Sequence, residues 1–376
     1  MDAGFDRPRV IAMQAIERGN RFDLLRLMAA LAVFAAHGDF LYRLHLPVPF
    51  PGHSLGSVAV YVFFFVSGYL VCQSWDREPD WRAFGVKRAM RIFPGLVVAV
   101  VFSVFVLGWA VTTLPSSVYW SSGSTWLNVV NNALGLATVQ TLPGVFENNP
   151  FARAVNGSLW TIRYELAMYL ILATMAMAAR GRRWVYPLAV CVLVLGWEAA
   201  RQGRWDAGIE AGGGLLADAF RWRDFCGFGV PFFIGAWWAA YTVRPRAWMA
   251  LAALVSAAAA LTVNSEWLRQ ISVWALVACG TFYAAHAGTA REGPKQRERT
   301  DISYGVYIYA FPVQQAVTAV CLRQGWPLSA CLALSLLPVL GLALMSWFWV
   351  ERPCIRAAHR WLRARRAARL MPSTSS

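Results

Sequence analysis

Residues 24–45 read LLRLMAALAVFAAHGDFLYRLH, a stretch with few polar side chains. A helix needs about 20 mostly apolar residues to cross the hydrocarbon core of a bilayer, and this stretch is long enough. Nine further apolar stretches follow it. The sequence therefore predicts an all-α polytopic membrane protein with about ten transmembrane helices. The predicted spans are 24–45, 57–75, 86–113, 158–179, 184–200, 223–242, 247–263, 269–289, 302–322 and 327–350.

The composition agrees with a membrane protein. Of the 376 residues, 58% are hydrophobic and 15% are charged, whereas a soluble domain carries about 25% charged residues. The net charge is +15, but the basic residues lie in short clusters between apolar stretches. That pattern is typical of membrane orientation and argues against a nucleic-acid-binding surface. The seven cysteines lack metal-ligand spacing, so we expect neither a metal site nor a disulfide framework.

The positive charges also predict the topology. If the N-terminus is cytoplasmic, the predicted cytoplasmic segments hold 25 Lys and Arg residues and the external segments hold eight. Cytoplasmic loops carry such an excess, so we expect both termini inside and an even number of spans. No cleavable signal peptide is expected, because the first 22 residues are polar and the apolar stretch after them is long enough to span.

These signals divide the chain into three parts. We predict a cytoplasmic segment over 1–22, one membrane domain over 23–352 and a basic cytoplasmic tail over 353–376, which we expect to contact anionic lipids. Within the membrane domain, 126–142 is weakly apolar and contains several amide side chains. We interpret it as a short interfacial or re-entrant helix.

Three ionisable residues fall inside predicted spans, where charge is costly and usually functional: Arg26, His37 and Glu165. Arg26 and His37 share one helix face and are about 16 Å apart along the axis. His37 and Glu165 lie at similar depths, about 9 Å and about 12 Å from the outer surface. We therefore expect them to meet, so that the carboxylate orients the imidazole. The alternatives are a hydrogen-bonded core histidine and a snorkelling interfacial arginine.

A basic cluster begins the third span. Lys87, Arg88 and Arg91 precede Pro94 at its cytoplasmic end. Such a cluster orients the span, and clustered Arg and Lys side chains also bind phosphate groups. The two interpretations are compatible.

Taken in order, six segments resemble the integral-membrane acyltransferase-3 family. The LPGVF and NGSLWTIRYE segments are the most specific, and they resemble the subgroup that O-acetylates O-antigen and exopolysaccharide. The segments are RFDLLR at 21–26 followed by His37, FFFVSGYL at 63–70, KRAMRIFP at 87–94, LPGVF at 142–146 with NGSLWTIRYE at 156–165, SYGVY at 303–307 and VERP at 350–353. One departure is Ala310, which stands where family members often carry a histidine.

The resemblance implies an acyltransferase of the bacterial inner membrane. Its donor substrate is expected to be cytoplasmic acyl-CoA, usually acetyl-CoA, with no tightly bound cofactor and no metal. Its acceptor is expected to be a hydroxyl of a glycan or lipid-linked sugar. By the same resemblance His37 is catalytic and Glu165 supports it. The residues expected to bind the donor are Arg26, Lys87, Arg88 and Arg91. The residues expected to line the site are Asp23, Ser67, Trp160, Tyr304 and Tyr307. For the two tyrosines, helix packing is the alternative.

Two chemical roles remain open for His37. It can act as a general base on the sugar hydroxyl or accept the acyl group covalently. Other function classes are a transporter or flippase and a non-catalytic component of polysaccharide assembly. No inverted repeat is visible, which disfavours a transporter. Release of free CoA in the presence of acceptor separates an acyltransferase from both alternatives. The sequence indicates no particular oligomeric state.

Overall fold

The computed structural model describes residues 21–203, 220–287 and 300–370. Over these residues the protein is helical, and β structure is limited to two isolated bridges. The predicted segment 1–22 and the basic loop at 291–299 lie almost entirely outside the described residues. The helices are α1 Phe22–Tyr42, α2 Leu55–Arg77, α3 Trp81–Val111, α4 Ser116–Ser121, α5 Gly123–Leu134, α6 Gly157–Ala179, α7 Val185–Arg201, α8 Trp222–Ala240, α9 Ala247–Thr262, α10 Glu266–His286, α11 Ser303–Gln324, α12 Leu328–Ser346 and α13 Arg352–Leu370.

Each of the ten predicted spans corresponds to one helix. Within the described part of the chain, six helices are long and apolar enough to cross a membrane: α1, α2, α3, α6, α11 and the continuous helix that runs from α12 into α13. These helices confirm an all-helical, multi-pass membrane protein. The total of ten crossings and the cytoplasmic position of both termini stay predictions.

The segment predicted as a helix over 126–142 is only partly helical. Helix α5 ends at Leu134, and Gly135 follows it in the left-handed conformation with φ 65°. Buried amides then hold the non-helical return: Asn128 Nδ2 donates to the Val139 carbonyl at 2.7 Å and Asn132 Nδ2 donates to the same oxygen at 2.8 Å. These asparagines account for the low hydropathy of the segment, because their amides pair with loop backbone.

The chain forms two compact units. The first comprises Met1–Ala32, Val48–Gln73 and Ala179–Asp301. Helices α2 and α8 cross closely inside it: a Cβ built on Gly68 would lie 1.8 Å from the Phe232 carbonyl oxygen, and one on Gly235 would lie 2.2 Å from the Phe65 carbonyl oxygen. Small residues let helix backbones approach this closely within a membrane.

The second unit comprises Val33–Pro47, Ser74–Ala178 and Ile302–Ser376. Helix α11 is the most buried of the six membrane-spanning candidates. Pro312 within it lacks an N–H, which leaves the carbonyl four residues earlier, that of Ile308, without its helical donor. Asn156 Nδ2 donates to this carbonyl at 2.9 Å. The same side chain caps the start of α6 by accepting from the Ser158 N–H at 3.1 Å.

Candidate active site

His37 lies in the second unit, in the last two turns of α1, and is 8% exposed. Its Nδ1 lies 3.1 Å from Oε1 of Gln314, a fully buried residue of α11. The other end of the same amide is also engaged, since Gln314 Nε2 donates to the Phe34 carbonyl at 2.9 Å. The imidazole is therefore held by α11 and, through Gln314, by its own helix.

Aromatic rings surround the imidazole. The ring of Phe311 lies 5.1 Å from it and that of Phe40 lies 5.6 Å from it, both edge-on. Phe151 extends the group by packing on Phe40 at 5.2 Å and on Phe311 at 6.1 Å. We call His37, Gln314 and these three phenylalanines the His37 site. Its walls are apolar, which strengthens any electrostatic interaction formed inside it.

In the structure His37 and Glu165 have different hydrogen-bond partners. The carboxylate of Glu165 accepts instead from the Tyr169 hydroxyl one turn along α6, at 2.5 Å. Among the described residues, the hydrogen-bond partner of the His37 imidazole is Gln314. Matching depth fixes the height of a side chain in the bilayer but not the direction in which it leaves its helix. A supporting role for Glu165 stays a prediction.

Glu165 belongs to a polar cluster with Arg88. The Arg88 guanidinium lies 5.8 Å from the Tyr169 ring and interacts electrostatically with Glu165. Arg88 has no carboxylate within ion-pair distance in the described part of the chain, and its Nε is buried without a hydrogen-bond partner. A half-buried guanidinium in this position has capacity for a further anion.

Arg91 is enclosed one turn further along α3. Tyr304 and Trp347 each present a ring 5.9 Å from its guanidinium. Its counter-ion is Glu351, which is fully buried and lies 3.6 Å away. Trp347 and Glu351 are the first and last residues of a π-helical turn. Such turns are frequent at functional sites. We call Arg88, Arg91, Tyr169, Glu165 and Glu351 the arginine cluster.

Lys87 is paired with the segment between α2 and α3. Its Nζ lies 2.7 Å from Glu78, and Arg366 of α13 lies 2.7 Å from the other oxygen of that carboxylate. Burial alone would raise the pKa of Glu78, but the two cations outweigh it and hold the pKa below its usual value. Lys87 thus forms an ion pair with a carboxylate of the protein, whereas Arg88 forms none among the described residues.

Arg26 lies in the first unit. It pairs with Asp23 at 2.6 Å and with Asp301 at 3.0 Å. Asp23, predicted as a lining residue, is therefore a direct partner of a predicted donor-binding residue. Ser67, also in this unit, is half-buried in α2.

The remaining predicted lining residues lie in the second unit. Tyr307 shares a 2.6 Å hydrogen bond with Thr161, and Tyr304 donates to the Ile92 carbonyl at 3.0 Å. The half-buried Trp160 stacks edge-on with Tyr164 at 5.8 Å. Both tyrosines thus join helices together, as their packing interpretation expects. No group of three His, Cys, Asp or Glu side chains able to hold a metal ion occurs within the described ranges.

Three functional candidates escaped sequence reasoning: Gln314, Glu351 and Tyr169. A signal existed for the first, because Gln314 and Gln315 form an adjacent amide pair inside the apolar span 302–322. Glu351 stood in the VERP segment without an assigned role. Tyr169 lies four residues after Glu165, a spacing that places two side chains on one helix face.

Comparison with known proteins identifies a family and relatives of similar length. The acyltransferase-3 family model, described as an acyltransferase domain, matches residues 20–350. An O-acetyl transferase of Shigella phage Sf6 is 30% identical over 90% of this chain and 96% of its own length. Nodulation protein 10 of Rhizobium leguminosarum bv. viciae is 27% identical over 90% of this chain and 93% of its own. No solved structure matches the chain.

The chain therefore belongs to the acyltransferase-3 family. It is a multi-pass membrane acyltransferase, and the resemblance inferred from its motifs is confirmed.

Proposed function

We propose that the protein transfers an acetyl group from cytoplasmic acetyl-CoA to a hydroxyl of a cell-surface or lipid-linked glycan in the bacterial inner membrane. The observation that carries the proposal is a buried, hydrogen-bonded His37 in a chain of this family. The name of the phage relative, an O-acetyl transferase, supports acetyl as the group transferred to oxygen.

His37 acts as the general base. Its unprotonated nitrogen takes the proton of the sugar hydroxyl as the oxygen attacks the thioester carbonyl carbon. The carbon–sulfur bond then breaks, and the proton passes to the CoA sulfur. Covalent acylation of the same nitrogen is the variant of this mechanism, and it moves the same groups in two steps.

Arg88 holds a phosphate of the donor. Its guanidinium has no ion-pair partner among the described residues, whereas Lys87, Arg91 and Arg26 each have a carboxylate. Arg91 and Glu351 keep the neighbouring turn in place, and Glu165 balances the charge of Arg88 when the donor is absent. Arg26 and Lys87 stay predicted donor contacts. To bind a phosphate of the donor, each side chain would release the carboxylate with which it is paired.

Labelled acetyl-CoA in proteoliposomes with acceptor glycan tests the catalytic part. We expect His37→Ala to abolish both CoA release and labelling of the glycan while inserting normally. His45→Asn is the matched control, because His45 is exposed in the loop after α1 and its left-handed backbone suits asparagine. Full activity of His37→Ala would refute the proposed centre. Absence of both CoA release and glycan labelling with the wild-type protein would favour a transport role.

A second experiment tests the donor site. Arg88→Met removes a charge-assisted hydrogen bond worth about 1.5–3 kcal/mol, so we expect KM for acetyl-CoA to rise about tenfold or more. Arg82→Met is the control, since Arg82 is exposed on the same helix and packs on Trp81. An unchanged KM in Arg88→Met would remove Arg88 from the donor site.

A further inference from the structure

We propose that Gln314 is a positioning residue for His37: its amide holds the imidazole in the tautomer that carries the proton on Nδ1 and leaves Nε2 as the base. The inference rests on the proposed function, because it gives a second residue of the His37 site a role in the same reaction. It also replaces the carboxylate expected beside His37 with a neutral amide.

The orientation of the Gln314 amide follows from its two partners. A backbone carbonyl can only accept, so the amide nitrogen must face Phe34, at 2.9 Å. The amide oxygen then faces His37 Nδ1, at 3.1 Å. Exchanging the two amide atoms would set two acceptors against each other at Phe34.

The tautomer of His37 follows from the amide. An amide oxygen accepts and never donates, so the hydrogen of this bond belongs to Nδ1. A neutral imidazole carries one N–H, which leaves the lone pair on Nε2. A buried carboxylate fixes the tautomer of the histidine in a catalytic triad. Here a neutral amide does so, and no charged group is placed at Nδ1.

The surroundings keep Gln314 in this position. Its own carbonyl accepts from Thr318 Oγ1 at 2.7 Å and from the Tyr42 hydroxyl at 3.5 Å. The residue is fully buried, and Phe40 and Phe311 limit rotation of the imidazole. The amide therefore has one arrangement in which every partner is satisfied.

Kinetics of three variants test the proposal. Gln314→Met keeps the length of the side chain and removes the acceptor, and we expect kcat to fall about 10- to 100-fold with KM for acetyl-CoA unchanged within about twofold. Gln314→Glu keeps an oxygen acceptor in either protonation state, so we expect it to retain more activity than Gln314→Met. Gln315→Met is the matched control.

The control removes an equally buried amide from the next residue of α11. Gln315 Nε2 donates to the carbonyls of Phe151 and Ala154, both at 2.7 Å, and its Oε1 accepts from Asn149 Nδ2 at 2.7 Å. We expect Gln315→Met to lower thermal stability and to leave kcat within about threefold per folded molecule. Equal loss of kcat in both variants, or wild-type kcat in Gln314→Met, would overturn the proposal.

Nitrogen NMR of the wild-type protein reads the tautomer directly. With ¹⁵N-histidine labelling, the His37 signals are identified among five histidines by their loss in His37→Gln. We expect a protonated Nδ1 and a non-protonated Nε2 in the neutral ring, and the reverse assignment would refute the inference even if Gln314→Met fails to accumulate. Full activity of His37→Ala would instead refute the proposed centre, and absence of CoA release by the wild-type protein would refute the proposed function itself.

Discussion

Gly157 is the residue that allows Phe311 to pack where it does. A Cβ at this position would lie 2.6 Å from Cε2 of Phe311. The Phe311 ring would have to move, and that ring also packs on His37. Overpacking a filled core costs about 1–3 kcal/mol. We therefore expect Gly157→Ala to lower kcat several-fold as well as the melting temperature, measured as initial rates and thermal unfolding in detergent.

Gly341→Ala provides the comparison for Gly157→Ala. Gly341 lies inside α12, and a Cβ built on it would meet nothing within 4 Å. We expect wild-type activity and unchanged or slightly higher stability, because alanine favours the helix by about 1 kcal/mol over glycine. If Gly157→Ala behaved like Gly341→Ala, the packing of Phe311 would not control the His37 site.

The sequence singles out candidate reactive residues but not their partners. Arg26, His37 and Glu165 stand out because ionisable groups are rare in apolar stretches, and Arg88 stands out in a basic cluster. Gln314 lies 277 residues from His37 in the chain and carries no charge. The direction of Glu165 toward Tyr169 depends on the rotation of α6 about its own axis, which hydropathy does not encode.

At the scale of elements, the close crossing of α2 and α8 depends on Gly68. Its Cβ would lie 1.8 Å from a backbone carbonyl oxygen, which cannot move aside as a flexible side chain can. We expect Gly68→Ala to separate the two helices, lowering the amount of folded protein in the membrane and its melting temperature. Gel-filtration yield and thermal unfolding measure both effects.

Gly227→Ala is the matched substitution on the partner helix. Its Cβ would make ordinary contact with Trp197 at 3.6 Å. We expect this variant to accumulate normally, whereas normal accumulation of Gly68→Ala would contradict the close crossing. The FFFVSGYL segment, quoted above for its family resemblance, thus gains a physical reason for its glycine.

Helix positions were predictable because burial in lipid requires length and apolarity, and all ten predicted spans are helical. The irregular features were not. The π-helical turn at Trp347–Glu351 and the end of α5 at Leu134 depend on local hydrogen bonds. At the end of α5, the hydrogen bonds run from the side chains of Asn128 and Asn132 to the backbone carbonyl of Val139.

At the scale of the whole molecule, Glu78 joins the start of α3 to the C-terminal helix α13. Lys87 and Arg366 hold the pKa of Glu78 below its usual value despite its burial. A group with a lowered folded-state pKa stabilises the fold above its unfolded pKa, and that stabilisation is lost as the pH falls through the folded pKa. We therefore expect the melting temperature of the wild type to fall more steeply on acidification than that of Glu78→Gln.

A double-mutant cycle over Glu78→Gln and Arg366→Gln measures the link at neutral pH. Arg366 is largely exposed, so we expect a coupling of about 0.5 kcal/mol, in the range of exposed ion pairs. The coupling should shrink at high salt, because salt screens exposed charges. An acid dependence identical in the wild type and Glu78→Gln would show that this carboxylate does not anchor α13.

The number of membrane crossings is the remaining property of the whole molecule, and two loops decide it. Six crossings by α1, α2, α3, α6, α11 and α12 and ten crossings by all predicted spans both place Arg182 inside and Trp326 outside. They differ at Gln202, which follows α7, and at Asn264, between α9 and α10. Gln202 is external only if α7 and α8 cross, and Asn264 is external only if α9 and α10 cross. With the non-buried cysteines removed by Cys191→Ser and Cys354→Ser, we expect Asn264→Cys and Trp326→Cys to react with an impermeant maleimide in intact cells. We expect Gln202→Cys to react in intact cells as well, and Arg182→Cys to react only after permeabilisation. An Asn264→Cys that behaves like Arg182→Cys would remove α9 and α10 from the crossings, and a Gln202→Cys that does so would remove α7 and α8.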